Sequence, residues 1–287
     1  AHYLGSAIES SLAQSYSNRE IIVVDDGSID GTAKVAESYD GVRLISQRNR
    51  GIAGARNAGL EESRGRYLVF LDADDRLLPN ALEDCKRSLT LKPDCAFVYG
   101  HVRLIAEDGS PVATPQQISV ETDHYLELLR RNYIWTTGAV MYSRASLVPL
   151  GGFNARVGGS ADFELNIRLA RRFPICCTGT TILEYRSHSQ SMSRDYALML
   201  KAALTARRMQ SRFVKGSRQH QEALQCGIRR VQEDYGEKLI DAMTESARQG
   251  KWTEAMSRLS TLLRYYPQGV LKGARRRLNN RLLGVQN

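Results

Sequence analysis

The sequence lacks three features that mark membrane-spanning and disulfide-built proteins. No apolar run approaches the roughly 20 residues of a membrane-spanning helix, and no signal peptide is visible. No cysteine pair has CxxC spacing, and the five cysteines are an odd number with Cys176 and Cys177 adjacent. The pattern predicts reduced thiols that mostly fill a core, in a cytoplasmic protein, rather than a disulfide framework or a zinc site.

Charge is distributed unevenly along an otherwise ordinary globular composition. The chain has 287 residues, of which 42% are hydrophobic and 25% are charged, enough for one large α/β domain and a smaller part. The formal net charge is +9, but residues 195–287 hold 18 Lys and Arg against 8 Asp and Glu. The sequence therefore predicts a nearly neutral domain over residues 1–194 and a basic extension over residues 195–287.

Helix and strand patterns alternate over residues 4–71. Short apolar runs such as "REIIVVDDGS" and "RYLVFL" lie between helical patterns such as "LGSAIESSLAQS" and "GIAGARNAGLEES". This alternation predicts an α/β fold with a mostly parallel sheet flanked by helices. Ligands of such sheets bind beyond the carboxyl ends of the strands. Asp25, Asp26 and the aspartates of "FLDADD" lie at such ends.

Beyond Pro79 the pattern is less regular. The segments "CAFVYGHVRLI" and "GAVMYS" predict strands, and "TILEYRSHSQSMSRD" predicts a strand followed by a polar loop. The glycine-rich "GGFNARVGGS" leads into the predicted helix "ADFELNIRLARRF". From about Tyr196 onward only helix signals occur, which predicts a C-terminal helical extension.

Asp72, Asp74 and Asp75 place three carboxylates within four residues, after an apolar run. Like charges so close repel one another unless a cation lies between them. Mg²⁺ or Mn²⁺ binds such oxygen ligands and shares them with substrate phosphates. We expect an extended segment, in which Asp72 and Asp74 point to the same side. The residues alone leave open a solvated acidic loop, or a helix cap before Asn80.

The order and approximate spacing of six segments resemble the family 2 glycosyltransferases, inverting enzymes with a GT-A fold. The segments are "VVDDGSIDGT", "GARNAG", "FLDADD", "GGF", "ADFELNIRLA" and "YRSHSQSMS". The resemblance covers roughly residues 1–194. It implies metal-dependent transfer of a sugar from a nucleotide donor, expected to be a UDP-sugar, to a saccharide or lipid-linked hydroxyl acceptor. Bacterial surface polysaccharide or lipopolysaccharide assembly is the implied pathway.

One departure from the family concerns the first strand of its sheet, which would precede residue 1. We expect its absence to be an omission rather than a deletion, because that strand is central in the sheet and its end contacts the nucleotide.

The resemblance assigns nucleotide-binding roles to residues of the first half. It implies that Asp26 accepts the imide N–H of uracil and that Asp25 and Ser28 shape the same turn. Arg56, in "GARNAG", matches a residue that lines the nucleotide pocket, and Asp72 also lies on the nucleotide side. On the residues alone, "DDGS" is also good turn chemistry, and Arg56 is also compatible with the surface of a helix.

Metal binding is implied for the second acidic motif and for one histidine. Asp72 and Asp74 match the metal motif of the family, and Asp74 is expected to be the more direct ligand of Mn²⁺ or Mg²⁺. His188, in "YRSHSQSMS", matches a position near the metal and the diphosphate. A solvated histidine in a polar loop is the alternative. Asp75 is expected to cap or orient the segment that follows it.

The resemblance places the catalytic base at Asp162, in "GGSADFELNIRLA". Inversion needs a base on the face opposite the departing nucleotide, to deprotonate the acceptor hydroxyl. The family often has Glu before this aspartate, whereas this chain has Ala161, and Asp162 is also suited to cap its helix. Trp135 matches the acceptor side, where it would stack on a sugar or fill the core. Arg186 is expected on the acceptor side or paired with phosphate.

Two other functions stay open at this stage. A nucleotidyltransferase also uses paired aspartates and a metal, but it normally carries a glycine-rich, basic phosphate loop after its first strand. A non-catalytic scaffold could bind nucleotide, nucleic acid or anionic lipid. The presence of Asp26, Asp74 and Asp162 argues against a scaffold.

The basic extension ends in an amphipathic pattern, "GVLKGARRRLNNRLLG". Val270, Ala274, Leu278 and Leu282 are four apart and form one helical stripe, with basic residues on its flanks. The pattern predicts peripheral contact with an anionic membrane, on its inner face, or a helix packed on the protein body. Nucleic acid is not expected, because aromatic residues are not interleaved with the basic ones.

Overall fold

Helices and strands form largely where the sequence predicts them. The computed structural model describes residues 1–271 except 117, 119 and 190. The helices are α1 (Leu4–Leu12), α2 (Thr32–Glu37), α3 (Gly51–Glu62), α4 (Ala81–Leu91), α5 (His124–Arg130), α6 (Arg144–Leu147), α7 (Ala161–Ala170), α8 (Tyr196–Arg208), α9 (Arg218–Arg248) and α10 (Trp252–Tyr265). The strands are β1 (Ile21–Asp25), β2 (Val42–Ser46), β3 (Tyr67–Val69), β4 (Arg76–Leu77), β5 (Phe97–Ile105), β6 (Pro111–Ala113), β7 (Val140–Ser143) and β8 (Cys176–Arg186).

The chain divides into two compact units. The sheet unit comprises residues 1–128 and 132–190, and the helical unit comprises residues 129–131 and those from 191 onward. The helical unit contains α8, α9 and α10, which pack around a core that includes Leu204, Leu239 and Leu262. The functional division into a glycosyltransferase domain, residues 1–194, and a basic extension, residues 195–287, stays a prediction.

The strands of the sheet unit pair in a mixed pattern. Among the described residues, β1 and β2 form a parallel pair, and the other strands form a sheet in the order β3-β7-β5-β8-β4, with β6 added to β5. The predicted α/β class is confirmed, but the predominance of parallel pairs does not hold. In this part of the chain only β1–β2 and β5–β8 pair in parallel. Apolar periodicity marks a strand without fixing its direction, and β7 runs antiparallel to both of its neighbours.

The apolar helical faces predicted from the sequence are buried. Leu4 and Ile8 of α1 pack with Ala36 of α2 against β1 and β2. In the larger sheet, Leu89 of α4 belongs to the same buried cluster as Val98 of β5 and Leu183 of β8. This packing fixes the ends of β1, β3 and β8, where the polar segments singled out in the sequence begin.

The cysteines partly match their prediction as core residues. Cys85, Cys95 and Cys176 are buried, Cys177 is half-buried and Cys226 is exposed, and all five are free thiols.

The predicted amphipathic tail lies mostly outside the described residues. Its first stripe residue, Val270, packs against the core of the helical unit, while the neighbouring Leu271 is exposed. Ala274, Leu278 and Leu282 are not among the described residues. Within the part of the chain that is described, no helix combines the length and the apolar character needed to cross a membrane.

Candidate active site

The turn after β1 holds both aspartates of the first acidic motif. Asp25 is buried, and its Oδ1 accepts a hydrogen bond from the backbone N–H of Ser28 at 2.9 Å. Asp26 Oδ1 accepts from Gln47 Nε2 at 2.6 Å and from the backbone N–H of Arg50 at 2.8 Å. Asp25 therefore builds the turn, and the segment after β2 orients the carboxylate of Asp26.

The second acidic motif is a turn and not the extended segment that we expected. The backbone N–H of Asp75 donates to the carbonyl of Asp72 at 3.1 Å, which closes a four-residue turn. Asp72 and Asp74 consequently contact different partners. Asp75 is buried, with 1% of its surface exposed, so the three carboxylates do not face one another around a single point.

Arg56 of α3 is the partner of Asp72. Its Nη2 lies 2.7 Å from Asp72 Oδ1, and its guanidinium lies over the ring of Phe153 at 5.5 Å. Burial alone would lower the pKa of Arg56, but the carboxylates of Asp72 and Asp162 raise it above its usual value. Only 11% of the side chain is exposed, so Arg56 is not an ordinary surface residue of its helix.

Asn57, the next residue of α3, fixes the glycine-rich loop. Its Nδ2 donates to the carbonyl of Phe153 at 2.9 Å, and its Oδ1 accepts from the N–H of Phe153 at 2.8 Å. Gly152 has φ +67°, and a Cβ at this position would lie 2.5 Å from Asn57 Oδ1. Gly152 of "GGF" is thus required by its backbone conformation and by the close approach of Asn57.

Asp162 lies in the first turn of α7, where the positive end of the helix dipole favours a carboxylate. Burial raises the pKa of Asp162, and the negative charge of Asp72 acts in the same direction, while the Arg56 charge opposes both. The fold therefore brings the predicted base into the electrostatic field of the Arg56–Asp72 pair. A carboxylate with a raised pKa is the stronger base for removing a hydroxyl proton.

Asp74 and His188 form the other half of the predicted metal site. His188 Nε2 lies 2.9 Å from Asp74 Oδ2, and 12% of the histidine side chain is exposed. His188 is therefore not a solvated loop residue. In the described part of the chain, no group of three or more His, Cys, Asp or Glu residues is arranged to hold a metal by itself.

The donor set nevertheless fits a divalent cation that is shared with phosphate. A metal bound together with a nucleotide diphosphate commonly takes only one or two protein carboxylates. The convergence of Asp74 with an imidazole suits Mn²⁺ better than Mg²⁺, because Mg²⁺ prefers oxygen ligands throughout.

Two donors of Arg186, Nε and Nη1, bind backbone carbonyls and therefore do not face the acceptor or the phosphate that we predicted as partners. The side chain is buried, and its Nε and Nη1 donate to backbone carbonyls, including that of Asp74 at 2.9 Å. Of the two roles predicted for Asp75, the helix cap is wrong, because Asp75 gives no cap to α4 and instead accepts from the backbone N–H of Arg186 at 2.9 Å. The orienting role stays a prediction. Burial raises the pKa of Asp75, and the charge of Asp72 adds to this effect.

Trp135 is not a core residue, since 46% of its surface is exposed. Its ring lies 6.5 Å from that of Tyr185, at an interplanar angle of 59°. Its role on the acceptor side stays a prediction. The next residue, Thr136, was missed by the sequence reasoning. Its hydroxyl lies 3.3 Å from Asp72 Oδ2, so it acts on the carboxylate that Arg56 also holds.

Comparison with known families and proteins agrees with the motif pattern. The sequence model of "Glycosyl transferase family 2" matches residues 1–147. An uncharacterized glycosyltransferase of Rickettsia conorii is 33% identical over 204 residues, covering 68% of this chain and 33% of that protein. The UDP-Glc:alpha-D-GlcNAc-diphosphoundecaprenol beta-1,3-glucosyltransferase WfgD of Escherichia coli is 37% identical over 123 residues, covering 41% of this chain and 48% of that protein.

The fold is also shared with solved structures. The mannosyltransferase PcManGT of Pyrobaculum calidifontis, in complex with GDP-Man and Mn²⁺, superposes with a TM-score of 0.61 at 17% identity, over 94% of this chain and 79% of that one. This similarity confirms the predicted GT-A fold class. The chain spans only about a third of the Rickettsia relative and about half of WfgD.

The charge arrangement around Arg56 makes a testable prediction about Asp162. Arg56→Gln should raise the pKa of Asp162 further, because the guanidinium stabilises its ionised form. Titration of carboxyl ¹³C shifts, assigned with Asp162→Asn, measures this change. Arg43→Gln removes an arginine that pairs with Glu62 at 3.2 Å and should leave the Asp162 midpoint unchanged. A midpoint in Arg56→Gln equal to or below that of the unmodified protein would contradict the prediction.

Proposed function

We propose, because this chain belongs to glycosyl transferase family 2, that it transfers a sugar from a nucleotide donor to a hydroxyl acceptor with inversion of configuration. The observation that carries the proposal is the convergence of Asp162 with Arg56 and Asp72. These residues come from three distant segments, and each affects the ionisation of another. We propose assembly of a bacterial surface polysaccharide as the process, because WfgD is named for an acceptor carried on diphosphoundecaprenol.

The chemistry assigned to Asp162 is general-base catalysis. Its carboxylate takes the proton of the acceptor hydroxyl while that oxygen attacks the anomeric carbon. The bond between the anomeric carbon and the diphosphate oxygen breaks on the opposite face, so the configuration inverts and a nucleoside diphosphate leaves. Burial raises the pKa of Asp162, which makes its carboxylate a stronger base, and the charge of Arg56 opposes this rise by favouring the ionised form.

Asp72 and Arg56 form the wall of the donor site in this proposal, and Asp74 with His188 lies beside them. Asp74, His188 and Asp72 would hold a Mn²⁺ or Mg²⁺ ion, which when bound neutralises charge on the leaving diphosphate. Arg56 is already engaged with Asp72 at 2.7 Å. Its role is to pair with Asp72 and to favour the ionised form of Asp162 rather than to replace a metal.

A UDP-sugar is the donor that we propose. Asp26 is held by Gln47 and Arg50 through Oδ1, and a carboxylate in this position can accept the N3–H of uracil. WfgD is named for a UDP-Glc donor, whereas PcManGT was solved with GDP-Man. Thermal-shift measurements with UDP and GDP sugars, with and without Mn²⁺, distinguish the two nucleotides.

Asp162→Asn should lower turnover by about 10²-fold or more while leaving UDP affinity nearly intact, because only the proton acceptor is lost. Activity of the unmodified protein should fall as the pH decreases through the raised pKa of Asp162, since the protonated carboxyl is not a base. Steady-state kinetics against pH measures both effects. Asp40→Asn, which changes an exposed aspartate, is the matched control.

The released product tests the reaction class in the same assay. Release of a nucleoside diphosphate supports sugar transfer, whereas release of pyrophosphate would establish a nucleotidyltransferase. Near-normal turnover of Asp162→Asn would remove this residue from the mechanism.

Asp74→Asn should weaken Mn²⁺-dependent binding of UDP by at least about tenfold, or roughly 1.4 kcal/mol. The reason is that an amide is a poorer ligand than a carboxylate for a hard cation. Isothermal titration calorimetry measures the affinity, and UDP binding without Mn²⁺ should change little. Equal affinity of both proteins in the presence of Mn²⁺ would exclude Asp74 as a ligand.

We also propose peripheral contact of the basic C-terminal segment with anionic lipid, which would suit a lipid-linked acceptor. Sedimentation with anionic vesicles should be salt-sensitive and should be lost when the chain ends at Leu271. This truncation keeps the packing of Val270 on the helical unit. Equal sedimentation of the full and truncated chains would disprove the contact, and neutral vesicles serve as the control.

A further inference from the structure

We propose that Arg186 is a positioning residue that holds Asp74 opposite His188, and that it is not a ligand of the donor phosphates. The proposal rests on the function proposed above, in which Asp74 and His188 hold the metal ion. The arrangement itself can be tested without any ligand. Arg186 is the last residue of β8, two residues before His188.

The guanidinium of Arg186 joins two turns to the end of β8. Its Nε donates to the carbonyl of Asp74 at 2.9 Å. Its Nη1 donates to the carbonyls of Ala106 at 3.2 Å and Glu107 at 2.8 Å, which follow β5. The side chain is 4% exposed. The buried guanidinium therefore binds neutral carbonyl oxygens, whose positions are fixed by the backbone.

The side chain of Asp75 makes a second connection between the acidic turn and the end of β8. Its Oδ1 accepts from the backbone N–H of Arg186 at 2.9 Å, while the Arg186 side chain binds the carbonyl of the preceding residue, Asp74. The turn of residues 72–75 and the end of β8 are therefore linked by two hydrogen bonds that Arg186 donates, one from its backbone to a side chain and one from its side chain to a backbone carbonyl. Oδ2 of Asp75 has no hydrogen-bond partner among the described residues. The buried carboxylate of Asp75 therefore contributes to the link through Oδ1 alone.

Tyr3, the residue before α1, supports the same assembly. Its ring lies 4.8 Å from the guanidinium of Arg186 and 5.3 Å from the ring of His188. Its hydroxyl donates to Glu107 Oε1 at 2.9 Å. The backbone N–H of Ser187 also donates to the carbonyl of Ile105 at 3.0 Å, which keeps the chain aligned as it leaves β8.

These contacts determine the relative position of the Asp74 carboxylate and the His188 imidazole. The backbone of Asp74 is held by Arg186, and His188 is carried by the segment that Arg186 begins. The 2.9 Å contact between Asp74 Oδ2 and His188 Nε2 spans the two fixed backbones. Residues behind the ligands often change metal affinity by about 10- to 100-fold when they are removed.

Lysine cannot reproduce this geometry, although it keeps the positive charge. The contacts need donors at both Nε and Nη1 of a rigid planar group, whereas an ammonium is one point on a flexible stem. Arg186→Lys and Arg186→Met should therefore behave alike if Arg186 positions the site. If Arg186 acts by its charge on phosphate, Arg186→Lys should retain most of the function and Arg186→Met should not.

The first measurement uses the ligand-free protein and the imidazole ¹⁵N signals of its histidines. Both Arg186 variants should shift the His188 signals toward those of Asp74→Asn, in which the contact with the carboxylate is lost. Arg103→Gln removes a sheet arginine that binds Glu184 at 2.9 Å and should leave His188 unchanged. The other histidines are internal controls: His2, His101, His124 and His220. Unchanged His188 signals in both Arg186 variants would overturn the proposal.

The second measurement is calorimetric, with Mn²⁺ and UDP as the probes. Both variants should lose at least about tenfold in Mn²⁺-dependent affinity and should retain metal-free UDP binding. Wild-type affinity in Arg186→Lys alone would overturn the proposal in favour of a charge effect. Failure of the unmodified protein to bind UDP would count against the proposed function and not against the positioning role.

The third measurement needs no variant, and it decides the question if both variants fail to fold. The Nε–H signal of Arg186 in the unmodified protein should be protected from exchange, because it is buried and bound to the carbonyl of Asp74. Adding UDP and Mg²⁺, which is diamagnetic and does not broaden nearby signals, should leave this signal nearly in place. Rapid exchange of the free protein, or a large shift on addition of UDP, would overturn the positioning role.

Discussion

The guanidinium of Arg56 is shared by carboxylates from two distant parts of the chain, and the candidate site depends on this sharing. Asp72 contacts the guanidinium at 2.7 Å. The charge of Arg56 also lowers the pKa of Asp162, in α7, against the effect of burial. Without that cation, two partly buried carboxylates would repel each other, and burial would favour their protonated forms. The ring of Phe153 and the dense packing around α3 hold the cation where both can use it.

Two arginines beside the acidic turn thus have different physical roles. Arg56 acts through its charge, because it pairs with the carboxylate of Asp72 and opposes the rise in the pKa of Asp162. Arg186 acts through the direction of its donors, because the oxygens it binds are neutral carbonyls. Sequence reasoning assigns Arg56 to the nucleotide pocket and Arg186 to the acceptor side or to phosphate. Both side chains are largely buried, and the partners that the fold gives them separate their roles.

Much of the fold could be predicted from the sequence, because the spacing of apolar residues and the residues that end helices and strands are local properties. α1, α3 and β5 formed close to their predicted positions, and the glycine-rich loop leads into α7 as expected. The direction of β7 could not be predicted, because it depends on pairing between segments far apart in the chain. The turn at residues 72–75 could not be predicted either, although its cause is local. One hydrogen bond between Asp75 and Asp72 redirects the backbone, and an apolar run followed by acidic residues contains no sign of it.

The two hydrogen bonds between Asn57 and the backbone of Phe153 give the segment before Asp162 a fixed origin. Its other end is fixed by α7, whose Phe163, Leu165 and Ile167 are buried. The residues between these anchors form a short 3₁₀ helix, Ala155–Ser160, in which Val157 and Ser160 are buried. Most of the entropy of closing this loop is therefore already lost on folding. Substitutions at the exposed Ala155 and Arg156 can change the surface of the loop while Asp162 keeps its place. In evolutionary terms, this separates the part of the chain that is free to drift from the part that must stay still.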